Sequence, residues 1–292
     1  MTDKPYILIT GADGFVGRKL CQTLGNDYET YRLITPGSTP DDINALAVDL
    51  TDSEETRRLA EKLEGIHFHA VIHLAFILCA PGDWNNFHYL HSNNRITENV
   101  IELLRSIKCD NLLNFSSLAV YPNRNGFYTE DSTVDPSPNT ECLYGLAKFN
   151  SEVAFDRFQG NEINVVNFRM CQVYGPGMQN DRLVGLFRKE IQENDTITVF
   201  GNGERVSNFI HIDDVAEAVR AVLSTPLPGT YNLGCSSNIS YLELAEKVKE
   251  AKGTESTQII LSEKGLKTKV EIDTSKFQKT FGYTCSKMDF DW

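Results

Sequence analysis

Ile7-Leu8-Ile9-Thr10-Gly11-Ala12-Asp13-Gly14-Phe15-Val16-Gly17 is the stretch that decides the fold of this 292-residue chain. A short apolar run meets three glycines spaced G-x-x-G-x-x-G, and a helical pattern follows. A strand that breaks at glycine and restarts as a helix opens a βαβ unit. A side chain at such a turn would block a pyrophosphate. Glycine removes the block, and the helix behind it offers N–H donors at the positive end of its dipole. The stretch therefore predicts a dinucleotide site contacted by Gly11, Asp13, Gly14, Phe15, Val16 and Gly17.

Outward from it, strand patterns at 6–10, 30–34, 46–50, 70–75, 111–116 and 164–168 alternate with helical patterns at 15–24, 53–63, 96–107 and 144–158. Such alternation means right-handed crossovers and a parallel sheet. The predicted fold class is α/β, a doubly wound parallel (Rossmann) sheet. Residues 122–140, rich in Pro, Asn, Asp and Thr, read as a long surface loop. After about Met170 the turns crowd together, at Gly175-Pro176-Gly177 and Gly201-Asn202-Gly203. A strand at 206–210, a helix at 213–223, a strand at 231–233 and a helix at 241–251 follow. The expected division is a dinucleotide-binding domain over 1–169, also receiving about 204–225. A smaller mixed α/β lobe of 170–203 and 226–292 is expected over the sheet's C-terminal edge, where ligands sit in such folds.

The net charge is −12, from 40 acidic and 28 basic residues, and no dense Lys/Arg run is present. That excludes a broad nucleic-acid face. No apolar run is long enough to span a bilayer. Met1-Thr2-Asp3-Lys4-Pro5 lacks the layout of a signal peptide, so a cytoplasmic protein without membrane contact is expected. Seven cysteines, an odd number with no C-x-x-C pair, argue against a disulfide framework or a zinc site.

Two short patterns carry chemistry. Tyr144-Gly145-Leu146-Ala147-Lys148 sets Tyr144 and Lys148 at i and i+4, one turn apart on one helix face. A phenol of pKa about 10 is a poor acid–base at neutral pH. A neighbouring ammonium stabilises the phenolate and lowers that value. Ser116 and Ser117 end an apolar strand, where a hydroxyl can hold a reacting oxygen. The second strand ends Leu33-Ile34-Thr35-Pro36, without the acid that normally binds the ribose 2′-hydroxyl of NAD. A 2′-phosphate is therefore admissible near Thr35, with Arg18, Arg32 or Ser38 at hand. The expected cofactor is NADP ahead of NAD. Asp49, after the third strand, suits the adenine amino group.

With these patterns stand His73-Leu74-Ala75, Asn93 ahead of Thr97, Val120-Tyr121, Arg169 to Gly177, Phe209 to Val215, and Tyr231-Asn232-Leu233-Gly234. Taken in order over nearly the whole chain, they resemble the extended short-chain dehydrogenase/reductases, the NAD-dependent epimerase/dehydratase family. The resemblance implies Ser117, Tyr144 and Lys148 as the catalytic triad, Ser117 standing four residues before Tyr121. It implies Leu50, Leu74, Ala75, Asn93, Ser116, Met170 and Val173 as further cofactor contacts, with Asn93 a buried organising residue. His73 then reads as structural.

The same resemblance implies a nucleotide-sugar substrate. The family's 4,6-dehydratases carry an acid pair after the catalytic Ser/Thr. Leu118-Ala119 cannot move protons, so a dehydratase is disfavoured. Gln172 stands where epimerases often carry Asn, and Ser207 where they often carry Arg. Arg205, two residues earlier and on the same face if the strand extends to it, is the expected replacement for the diphosphate clamp. The leading reading is an NADP(H)-dependent 4-keto reductase; the alternative is a UDP-glucose 4-epimerase-like enzyme. Reduction of a ketone not attached to a nucleotide comes third. A non-catalytic dinucleotide sensor is the reading from another class, and the presence of Ser117, Tyr144 and Lys148 argues against it. Family members often dimerise through the helices that are 96–107 and 144–158 here, so a homodimer is an expectation; the stripe Ile96, Val100, Leu103, Leu104 and Ile107 allows it and is equally explained by packing on the sheet.

Overall fold

The computed structural model describes residues 4–40, 42–158 and 163–292. Met1 to Asp3, which entered the signal-peptide reading, lie outside them. The chain begins β1 (Tyr6–Thr10), α1 (Phe15–Leu24), β2 (Glu29–Ile34), β3 (Ala45–Ala47), α2 (Ser53–Lys62), β4 (His67–His73), α3 (His88–Ser106) and β5 (Lys108–Ser117). It continues with β6 (Gly126–Tyr128), α4 (Cys142–Phe158), β7 (Asn164–Met170), β8 (Gln172–Tyr174), α5 (Leu183–Asn194), β9 (Thr196–Phe200), β10 (Val206–Ser207) and β11 (Phe209–His211). Then come α6 (Ile212–Ser224), β12 (Gly229–Leu233), β13 (Ile239–Ser240), α7 (Tyr241–Lys252), β14 (Gln258–Ser262), β15 (Val270–Ile272) and α8 (Ser275–Phe281).

Local signals explain several boundaries. Asp52 accepts from the N–H groups of Glu54 and Glu55, and both acids sit in the first turn of α2, where the dipole favours them. Ser240 and Glu243 form a reciprocal capping box at the start of α7. Gly282, at φ 66°, ends α8 in a conformation that glycine adopts without cost.

Two compact units form. The first comprises Met1–Pro122, Thr133–Arg169 and Val219–Tyr231; the second comprises Asn123–Ser132, Met170–Ala218 and Asn232–Trp292. A seven-stranded sheet runs in the order β12-β7-β5-β4-β1-β2-β3, and its pairs β1–β2, β1–β4, β4–β5 and β2–β3 are parallel. The strand order reverses between β1 and β4, the switch point at which ligands bind in such sheets. The doubly wound α/β class read from the sequence is what forms.

The first unit's core joins Leu8, Leu33, Val71 and Leu112 of the sheet to Ile96, Val100, Leu103, Leu104 and Ile107 of the α3 region. Of the two explanations the stripe allows, packing on this unit's own sheet is the one observed. The second unit packs Val184, Phe187, Ile197, Phe209, Leu244 and Phe290 around short strand pairs. β8 pairs with β11, β9 with β14 and β6 with β15, all in parallel; β10 and β13 pair antiparallel. The segment read as a bare loop at 122–140 therefore contains a strand, β6. Three residues are too few to show a two-residue period, and the strand exists because a distant partner, β15, supplies its ladder. Of the segment 204–225 expected in the first domain, the part from Val219 onward falls in the first unit, which continues to Tyr231. Arg220 is one reason, since its guanidinium donates to the Thr23 carbonyl at 2.9 Å.

Candidate active site

The three glycines of the opening turn do different jobs. Gly11 has φ 65°, and a Cβ there would come within 2.9 Å of the Ala75 nitrogen. Gly17 is buried, and its Cβ would meet the Gly11 carbonyl oxygen at 2.2 Å. Its missing side chain lets α1 pack onto the strand end. Gly14 is the exposed one. It is the N-cap of α1, with no side-chain cap and no acid in the first turn. The first N–H groups of α1 thus have no anionic side chain competing for them, unlike those of α2. A pyrophosphate fits that arrangement. Phe15 and Val16, half-buried, line the same turn.

Thr10 ties this turn to the end of β4. Its Oγ1 accepts from the N–H groups of Leu74 at 3.1 Å and Ala75 at 3.0 Å and lies 2.9 Å from His73 Nδ1. With two N–H groups already on Oγ1, the hydroxyl hydrogen points to Nδ1, which leaves His73 as the Nε2–H tautomer. His73 is buried, and that burial, with the nearby Lys148 charge, takes its pKa down to about 3. A neutral, enclosed imidazole is a structural group, as read from the sequence.

Several cofactor expectations change once side chains are placed. Asn93 is fully buried; its Oδ1 accepts from Ile77 N–H at 2.7 Å and its Nδ2 donates to Ile77 C=O at 2.9 Å. Its amide fixes the chain after β4. Ser116 is also buried and donates to Glu152. Successive side chains on a strand alternate in direction, so Ser117 points the other way and is half-buried. Asp49 Oδ1 accepts from both Thr51 N–H, at 2.8 Å, and Thr51 Oγ1, at 2.7 Å, a local turn that occupies one of its oxygens. Leu50 is buried, and its carbonyl accepts from Asn99. Asp13, by contrast, turns its carboxylate onto the end of β2: Oδ2 accepts from Thr35 N–H at 3.0 Å and Ser38 Oγ at 3.1 Å.

Ser117, Tyr144 and Lys148 come together around the start of α4. Ser117 Oγ accepts from Ala119 N–H at 3.1 Å and begins the short 3₁₀ turn Leu118–Val120. Gly145 lies under that turn, where a Cβ would stand 2.4 Å from the Ala119 carbonyl oxygen. The missing side chain is what lets α4 approach the serine-bearing turn. Lys148, 4% exposed, donates from Nζ to the Phe115 carbonyl at 2.6 Å. Its Nζ is 5.8 Å from the Tyr144 ring centroid and 3.6 Å from that of Phe76, and the Phe76 ring meets Tyr144 edge-on at 5.4 Å. Burial pulls the Lys148 pKa down to about 7, while the Glu152 charge opposes the fall. Near neutral pH the ammonium is therefore held only in part by Coulomb attraction, and the Phe76 face adds a cation–π contact.

Sequence reading missed Glu152. It continues the Tyr144, Lys148 series by another four residues, which was the available signal. Its carboxylate receives Arg169 Nη2 at 2.9 Å and Nε at 3.2 Å, and Arg169 Nη1 donates to Tyr121 Oη at 2.9 Å. Both members of the ion pair are buried. Removing one of them would leave an uncompensated buried charge.

In the second unit, Met170 is buried and Val173 half-buried, the latter opposite Ile210 on the β8–β11 ladder. Gln172 Nε2 donates to Ser207 Oγ at 2.9 Å. Arg205 precedes β10 and is not part of it, so the strand alternation assumed for it does not apply. Its guanidinium lies 5.2 Å from the Tyr241 ring centroid, and its Nε is buried without a hydrogen-bond partner.

Among the described residues, no helix is long and apolar enough to cross a membrane. Residues 7–234 match the model of the family described as "NAD dependent epimerase/dehydratase family". A Bacillus subtilis (strain 168) protein described as an uncharacterized UDP-glucose epimerase is 27% identical over 271 residues, covering 86% of this chain and 83% of that one. The UDP-glucuronate 4-epimerase of Thermodesulfobacterium geofontis is 26% identical over 300 residues, covering 95% of this chain and 90% of that one. The solved UDP-glucuronic acid 4-epimerase of Bacillus cereus, in complex with UDP-glucuronic acid and NAD, superposes with a TM-score of 0.79. It is 25% identical, with 98% of this chain and 95% of that one covered.

Proposed function

Because the chain belongs to the NAD dependent epimerase/dehydratase family, we propose that this enzyme inverts a nucleotide sugar at C4, as a 4-epimerase using NAD. The observation that carries the reading is the turn after Ser117. Leu118, Ala119 and Val120 offer no proton-transfer group, while Tyr144 and Lys148 lie on the helix packed beneath them. A site with one acid–base suits oxidation and reduction at a single carbon, and not the extra proton transfers of a dehydration. The NADP(H)-dependent ketoreductase reading rests on the missing acid at Thr35, and Asp13 supplies a carboxylate at that strand end. The two relatives described above carry epimerase descriptions, one of them for an uncharacterized protein, which supports the same choice.

In this mechanism, Tyr144 Oη takes the proton of the C4 hydroxyl and later returns it to the same oxygen. NAD, when bound, would supply the acceptor and donor of hydride at C4. Ser117 Oγ holds the reacting oxygen, and Lys148 favours the phenolate form of Tyr144. Gly14 and the first turn of α1 receive the pyrophosphate. Gln172 and Arg205 are proposed to contact the nucleotide part of the substrate. The assay is incubation with UDP-glucose, UDP-N-acetylglucosamine or UDP-glucuronate without added reductant, with C4 followed by proton NMR. Appearance of a C4 epimer without net cofactor consumption supports the proposal. Turnover of a 4-keto sugar only with stoichiometric NADPH oxidation would establish the reductase reading instead.

A further inference from the structure

The ribose-binding acid absent from the end of β2 has a substitute that arrives from another element. Asp13 lies between the first two residues of the glycine turn and Gly14, yet its side chain reaches the residues just after β2, with Oδ2 accepting from Thr35 N–H at 3.0 Å and from Ser38 Oγ at 3.1 Å. Ala12 N–H donates to the Leu33 carbonyl at 3.0 Å, which brings the turn alongside that strand end. We infer that Asp13 selects the dinucleotide: its carboxylate, held at the end of β2 from the glycine turn, accepts the adenosine ribose 2′-hydroxyl and repels a 2′-phosphate. The inference rests on the reading of this turn as the dinucleotide site.

Three observations support it. Both neighbouring bonds fall on Oδ2, so Oδ1 keeps acceptor capacity for a ligand hydroxyl. The bonds from Thr35 and Ser38 outweigh the opposing effect of partial burial and hold the carboxyl below its usual range, so it is ionised at neutral pH. The cations that would welcome a 2′-phosphate are otherwise engaged: Arg18 donates to the main-chain carbonyl of Asp13, and Arg32 pairs with Asp42. A phosphate brought to a carboxylate under these conditions meets like charge, which disfavours its binding.

The test is equilibrium titration of the full chain with NADH and with NADPH at one ionic strength, followed by nucleotide fluorescence. The wild type is expected to bind NADH at least about tenfold more tightly than NADPH. Asp13→Asn keeps an oxygen acceptor for Thr35 and Ser38 but removes the charge. It is expected to reduce the preference to roughly threefold or less, chiefly by strengthening NADPH. Equal wild-type affinities, or an unchanged preference in a folded Asp13→Asn protein, would overturn the inference and leave the dinucleotide reading intact. Binding of neither nucleotide would overturn both. The wild-type ratio decides the matter even where the variant does not fold, and Asp13→Ser gives a second, smaller neutral replacement.

Discussion

Gly145 and Ala119 meet so closely that any Cβ at position 145 would stand 2.4 Å from the Ala119 carbonyl oxygen. Helix interiors ordinarily gain about 1 kcal/mol when glycine becomes alanine. Here the backbone clash outweighs that gain, because the carbonyl belongs to the turn that carries Ser117. Gly145→Ala should therefore lower thermal stability by about 1–3 kcal/mol and reduce turnover, as α4 is pushed away from that turn. Differential scanning calorimetry and a turnover assay check this. An unchanged or raised melting temperature would disprove the packing account.

Tyr144→Phe removes the proposed acid–base while keeping the ring that meets Phe76 edge-on. The expected result is a kcat lower by about 10²–10⁴-fold with NAD affinity nearly unchanged. Steady-state kinetics beside nucleotide titration separate the two. A fully active Phe variant would eliminate the mechanism.

Lys148 links stability to pH. Its folded pKa, about 7, lies below the ordinary value of 10.5, with burial the main cause. Between those values the unfolded chain binds the extra proton, so stability from this group rises as pH rises through the window, and the penalty is complete below it. Urea unfolding at about pH 7 and about pH 9 should show a rise on the order of 1 kcal/mol in the wild type relative to Lys148→Met. The comparison cancels the buried thiols of Cys109, Cys171 and Cys285, whose burial-raised pKa values act in the opposite direction at high pH. Parallel pH curves for the two proteins would mean that Lys148 is not held as described.

Arg205 tests the substrate end. Its buried Nε without a partner, above Tyr241, leaves donor capacity for an anion. Arg205→Ala should raise KM for a nucleotide sugar several-fold while kcat changes little, because a diphosphate contact acts equally on ground and transition states. If KM stays where it was, Arg205 packs on Tyr241 and does no more.

Apolar period, glycine spacing and the four-residue rise of a helix made the parallel α/β architecture, the glycine turn and the Tyr144–Lys148 pair legible in the sequence, while Ser117 was distinguished from Ser116 only by the family resemblance. The sequence did not reveal that Gly11, Gly14 and Gly17 differ in backbone conformation and in what packs against them. It also could not show that β6 pairs with β15, that Glu152 and Arg169 are buried together, or that Arg205 lies off its strand. Above all, the sequence places no acid after Ile34 at the end of β2, where such acids usually stand. Asp13 reaches the same place from the neighbouring turn, and only the pairing of β1 with β2 brings those two points together. Contacts between distant segments are set by packing, and no local pattern records them.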